Sequence, residues 1–158
     1  MSTKPDTLYD EAASKQRLRL WLRLLKTSRI IESELREKLR QEFASTLPRF
    51  DVMAALSRYE EGLKMSQLSG VLRVSNGNVT GIVDRLAQDG AVVRVPVPGD
   101  RRASMVRLTK RGQEEFAAQA AAHEAWIDEM LGGFSPEECA ELSERLDGLV
   151  DSFGVREG

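Results

Sequence analysis

"SNGNVTGIVDRLAQDGAVVRV", residues 75–95, is the stretch from which the rest of the chain is read. Val79, Ile82, Val83 and Leu86 recur at spacings of three and four, which predicts one apolar face of a helix. Asn76, Asn78, Thr80, Gly81, Asp84 and Arg85 are left toward the outer surface. Ser75 is a candidate N-cap, and Gly90 can adopt the left-handed conformation that closes a helix. A buried helix would carry leucine where this one opens with small hydrogen-bonding residues and two glycines. Its first turns are slim, polar and uncharged. After Gly90 the period changes to two, with Val93, Val95 and Val97 alternating with Arg94 and Pro96.

Working outward, "PGDRR" at 98–102 is a turn, and Ser104, Val106 and Leu108 then alternate with Met105 and Arg107. This predicts a β-hairpin with a basic tip. Upstream, Pro48 starts a helix whose Phe50, Met53, Ala54 and Leu56 face inward and which Gly62 is expected to close. Residues 65–74 form a short helix packing through Leu68, Val71 and Leu72. Residues 16–43 carry Leu18, Trp21, Leu24, Leu25, Ile31, Leu35, Leu39 and Phe43 at helical spacing. A helix of about 28 residues spans about 42 Å, longer than a small domain needs for its own core. Part of its apolar face is expected to meet another chain. Downstream, Thr109 caps a helix from about Lys110 to Leu131, broken by Gly132 and Gly133. "SPEE" at 135–138 is a capping box that launches a last helix through Cys139, Leu142, Leu146, Leu149, Val150 and Phe153. The order is helix, helix, short helix, helix, hairpin, helix, helix. It predicts a mainly α fold with a small β-hairpin wing: one domain over residues 1–158, with a winged helix-turn-helix lobe at 47–111 and a helical dimerisation region at 8–46 and 112–154.

With 41% hydrophobic and 30% charged residues, the 158-residue chain can bury a core. No apolar run approaches the roughly 20 residues of a membrane span, and the start MSTKPDTLYDEA lacks the pattern of a signal peptide. Cys139 alone cannot make an internal disulfide, and the cytoplasm is the expected compartment. The net charge of −2 hides a segregation. Lys+Arg against Asp+Glu number 11 and 7 over residues 1–50, 10 and 6 over 51–111, and 2 and 12 over 112–158. The first two thirds are basic, so an acidic total does not argue against a nucleic-acid partner.

The major groove of B-DNA admits one helix whose leading side chains are small enough to sit close and polar enough to bond base edges. Ser75, Asn76, Gly77, Asn78, Thr80 and Gly81 meet both demands, Arg85 follows on the same helix, and the helix N-terminus favours a phosphate. At the hairpin tip, Arg101 and Arg102 suit a narrow minor groove, where the potential is most negative. Asp84 is badly placed for phosphates unless paired. The expected pair is Asp84 with Arg102, leaving Arg101 for DNA.

From about Leu18 to Phe153 the chain resembles the MarR family of bacterial transcriptional regulators. The likeness is closest at "SNGNVTGIVDRLAQDGAVVR" and at "PGDRRASMVRLTKRG", which is similar to the family's wing signature. The resemblance implies a homodimer, interlocked through the first and last two helices, that places two recognition helices in successive major grooves of a pseudo-palindromic operator. It also implies pairing of the acid at Asp84 with the arginine at Arg102, and a ligand-responsive repressor. "SNGNVT" is further similar to members that control aromatic-acid degradation and sense aromatic acids or their acyl-coenzyme A thioesters.

Other chemistries find less support. His123 has no Cys or His partners at ligand spacing, so neither a metal nor another cofactor is expected. Cys139 lies beside Glu137 and Glu138, whose charges disfavour a reactive thiolate. On the first long helix, Arg29, Arg36 and Arg40 share a face, as do Arg19, Arg23 and Lys26. Such rows are usually solvated or meet an acidic partner. The alternative is an anion site, with Trp21, Arg29, Arg36 and Arg40 as effector candidates. No nucleophile elbow, phosphate loop or HExxH motif occurs, so an enzyme is not expected. The rival from another class is a winged-helix module that binds protein and not DNA.

Overall fold

The computed structural model describes residues 4–72 and 76–154, with side chains described from Ala12 onward and, in the helix that begins at Asn76, from Asn78. The elements are α1 (Lys4–Phe43), α2 (Leu47–Ser57), β1 (Leu63–Lys64), α3 (Met65–Leu72), α4 (Asn76–Gln88), β2 (Val92–Val97), β3 (Asp100–Leu108), α5 (Lys110–Met130) and α6 (Pro136–Ser152). Two compact units, residues 1–122 and 123–158, divide the chain within α5.

α1 runs for 40 residues, beginning twelve residues before the start that its apolar periodicity marks. The run before residue 16 is polar, and Pro5 is tolerated in a first turn, where its missing N–H has no partner to lose. α2 starts where expected: Thr46 accepts from the Arg49 N–H at 3.3 Å, with proline at the entry. It stops earlier, at Ser57, with Arg58 as the cap. Gly62 has a different task. Its φ is +102°, and a Cβ would stand 2.5 Å from the Val106 carbonyl oxygen, so only glycine lets β1 approach β3 here.

The core of the first unit gathers Val52, Met53 and Leu56 of α2, Leu68 of α3, Val79, Val83 and Leu86 of α4, and Val106 and Leu108 of β3. Burying each such side chain is worth about 1.5–3 kcal/mol, enough to hold α4 by one face while the opposite face stays in solvent. Val71, expected on the packing face of α3, is 44% exposed. An eight-residue helix has room for one buried row, and Leu68 occupies it.

The sheet has the order β1-β3-β2, all antiparallel. Val92 faces Leu108 and Arg94 faces Val106, so the valine row at 93, 95 and 97 turns away from the core row. Pro98 and Gly99 make the turn, Gly99 at φ +82° as the second turn position requires. Beyond Pro96 the register slips: Pro96 pairs with Ser104 but Val97 with Asp100. Arg101, Arg102 and Ala103 are the extra residues of that bulge.

α5 starts on Thr109, whose hydroxyl oxygen accepts from the Gly112 N–H at 3.1 Å. In the second unit, Ser135 and Glu138 form the reciprocal capping box of α6. No residue of α6 is buried, although Leu142, Leu146, Leu149 and Val150 lie along it.

Candidate nucleic-acid interface

With Val79, Val83 and Leu86 fully buried and Ile82 packed against the same core, the polar residues of α4 from Asn78 onward are left toward solvent. Asn78, Thr80, Gly81 and Arg85 are exposed. A Cβ at Gly81 would meet nothing within 4 Å, so this part of the helix surface is low and open. Asn78, Gly81, Ile82 and Arg85 form one flank, which borders a cleft of about 520 Å³ against Ala44, Ser45, Thr46 and Arg49. Ser75 lies outside the described residues. Asn76 and Gly77 open the helix, their side chains likewise outside what is described.

Asp84 lies on the opposite flank, toward the wing, and its partner differs from the expected one. Its carboxylate accepts from Arg94 Nη2 at 2.5 Å, not from Arg102. The register explains this: Arg94 stands opposite Val106, on the sheet face that packs toward α4, within reach of Asp84. Arg102 sits in the bulge at the tip, where its backbone N–H donates to Asp100 Oδ1 at 3.0 Å. Arg101 and Arg102 are both exposed, and neither guanidinium forms an ion pair among the described residues. Sequence reasoning missed Arg94, because only the strand register turns it toward α4.

A second missed residue is Arg49. Its Nη1 donates to Asp89 Oδ2 at 2.5 Å and its Nη2 to Glu115 Oε1 at 3.0 Å, joining α2, the turn after α4, and α5. Burial of Arg49 disfavours its charge, but the bonds to Asp89 and Glu115 outweigh that and hold its pKa above the ordinary arginine value. The bond from Arg49 holds the Asp89 carboxyl below the usual aspartate value, with help from the positive charges of Arg49, Arg85 and Arg111.

Of the four effector candidates, Arg36 borders a cavity of about 680 Å³ with Glu32, Thr46, Leu47, Asp51 and Val52 among its walls. Glu32 lies 3.8 Å from Arg36. Arg40 is engaged by Glu37 at 2.6 Å, and that bond lowers the Glu37 pKa. Trp21 is 55% exposed on α1, and Arg29 is exposed too. Of these four, Arg36 is the one that lines this cavity. Among the described residues, no group of three His, Cys, Asp or Glu could hold a metal ion, and no helix is long and apolar enough to cross a membrane.

A helix held by one apolar face, its polar face open beside an arginine-tipped hairpin, defines a winged helix-turn-helix regulator that binds DNA. Residues 45–104 match the MarR family, and BadR, a transcriptional activatory protein of Rhodopseudomonas palustris, is 31% identical over 97% of this chain and 90% of its own length. The chain belongs to the MarR family. A crystal structure of a MarR family transcriptional regulator from Silicibacter pomeroyi is 35% identical, with a TM-score of 0.74 over 89% of this chain and 97% of that one. A MarR mutant from E. coli complexed with operator DNA shares the fold, at 24% identity and a TM-score of 0.74 over 85% of this chain and 96% of that one.

Proposed function

We propose that the protein acts as a homodimer on a pseudo-palindromic operator, with α4 in the major groove and the wing tip in the flanking minor groove. The observation that carries this reading is the pairing of Asp84 with Arg94. It neutralises the acid on the DNA-facing side and leaves Arg101 and Arg102 both available to DNA. Selection from random-sequence duplexes tests it, followed by titration of the recovered duplex at several salt concentrations. Several neutralised phosphates make log affinity fall steeply with log salt. Arg101→Ala and Arg102→Ala should each reduce that slope by about one while leaving the melting temperature unchanged. A flat salt dependence would favour the protein-binding module, and an unchanged slope for Arg102→Ala with a lowered melting temperature would restore its structural role.

Repression follows from occupancy of a promoter alone, without a further surface for polymerase. The name of BadR favours the opposite sign, and a reporter fused to the selected operator decides between them. For the effector we propose an aromatic carboxylate or its coenzyme A thioester in the cavity beside Arg36. The volume is within the range of small-molecule sites; Leu47, Val52, Leu72 and Ile82 offer an aryl ring apolar surface, and Arg36, which faces Glu32 in the same wall, offers the carboxylate a cation. Benzoate and benzoyl-coenzyme A should raise the melting temperature of the protein but not of Arg36→Gln.

A further inference from the structure

Two ties hold the end of α4 against the start of α5. The first is a corner: the Thr109 hydroxyl donates to the Gly90 carbonyl at 2.6 Å, the Thr109 N–H donates to the Ala91 carbonyl at 3.0 Å, and Gly112 packs directly on Ala91. A corner fixes where two helices meet but leaves the angle between them open. The second tie lies away from it. The Arg49 guanidinium bonds Asp89, next after α4, with one nitrogen and Glu115 of α5 with another. Its side chain is 18% exposed, and the rings of the adjacent Phe50 of α2 and of Phe116 of α5 lie 5.6 Å apart, tilted by 33°. Gln119, 2% exposed, donates to the same Glu115 oxygen at 3.4 Å. A corner and a strut together determine an angle.

That angle has leverage. The part of α5 within the first unit, residues 110–122, is about 20 Å long, so each degree of tilt at its base moves its far end by about a third of an ångström. A tilt of about 10° therefore equals one base-pair step of 3.4 Å. We propose that Arg49 is a positioning residue for operator binding: it sets the angle of the recognition helix to α5, and through the dimer the half-site spacing the protein accepts. This rests on the homodimeric reading above. The guanidinium is occupied by two carboxylates, so it acts through α4 and not on phosphate. Lysine cannot replace it, since a single ammonium on a flexible stem lacks the planar fork that reaches two acids at once.

The test is selection from duplexes in which the spacer between half-sites is randomised, run on the full chain and on Arg49→Lys and Glu115→Gln. The unsubstituted protein should recover one spacing. Arg49→Lys should recover several, and its preference for the selected duplex over random duplex should fall about tenfold, the size of coupling expected from an ion-pair network. Affinity for random duplex and the salt slope should stay unchanged. Glu115→Gln, the milder change, should act in the same direction, and adding Arg49→Lys to it should add little. Spacing identical to the unsubstituted protein in both variants would overturn the positioning role. So would equal losses on selected and random duplex tracking a lowered melting temperature, which would make Arg49 a stability residue only. If the unsubstituted chain selects no sequence, or sediments as a monomer, the DNA or dimer reading fails first and this inference with it.

Discussion

A hydrogen atom where other residues carry a methyl group sets how close α5 stands to the end of α4. At position 112 a Cβ would lie 1.9 Å from the Ala91 carbonyl oxygen, which is backbone and has nowhere to move. In an open helix, replacing glycine by alanine gains about 0.5–1 kcal/mol from reduced backbone freedom in the unfolded chain. Overpacking at a fixed backbone costs about 1–3 kcal/mol or more, so at this position the clash wins. Gly112→Ala should lower the urea midpoint, whereas Gly70→Ala in α3, with nothing within 4 Å of its Cβ, should raise it. Equal midpoints for the two variants would remove the close approach from the account. The glycine of the "KRG" run was visible in the sequence. What it touches was not, because Ala91 reaches it only after the hairpin has folded back.

At the scale of elements, the sequence was most legible where one period held over several turns. The apolar row of α4, the alternation of the hairpin and the capping box of α6 are local patterns, and each element forms where its pattern lies. β1 has two residues and no pattern of its own, and is a strand only because β3 pairs with it. The ion pairs that lock the elements were illegible for a related reason. Asp84 could be matched with Arg94 only through the strand register, and Arg49 meets Asp89 and Glu115 across 40 and 66 residues. The brace has a pH signature. Asp89 has its pKa lowered in the fold, so its contribution to stability is present in full above the ordinary aspartate value of 3.8 and is lost only as pH falls through the lowered one. Protein and Asp89→Asn, denatured in urea at a series of pH values, should differ by a constant amount from neutrality to about pH 5 and converge below the normal carboxylate range. A difference that stays constant down through the ordinary carboxylate range would show that Asp89 titrates normally and that the Arg49 bond contributes little.

At the scale of the whole molecule, the informative feature is apolar surface left uncovered by the single chain. α6 buries none of its residues, yet Leu142, Leu146, Leu149 and Val150 recur along it at helical spacing and Phe153 just beyond is 74% exposed. α1 leaves Leu18, Leu20, Trp21, Leu22 and Ile30 more than half exposed. Scattered apolar residues on a surface are ordinary, but a continuous row on a helix with nothing buried marks a face that another surface covers. Charge argues for a second copy of this chain as that surface: α1 carries basic rows at Arg19, Arg23 and Lys26, and the last 47 residues hold 12 acids against 2 bases. Leu146→Glu places a charge in the middle of the α6 row, where in a dimer it would be desolvated and unpaired. It should shift the protein from dimer to monomer in analytical ultracentrifugation, and with the second half-site lost, its affinity for the selected duplex should fall toward that for random DNA. Glu144→Leu is the matched control, since it adds apolar surface to the same helix. A variant Leu146→Glu that still sediments as a dimer and binds as before would place the subunit contact away from α6.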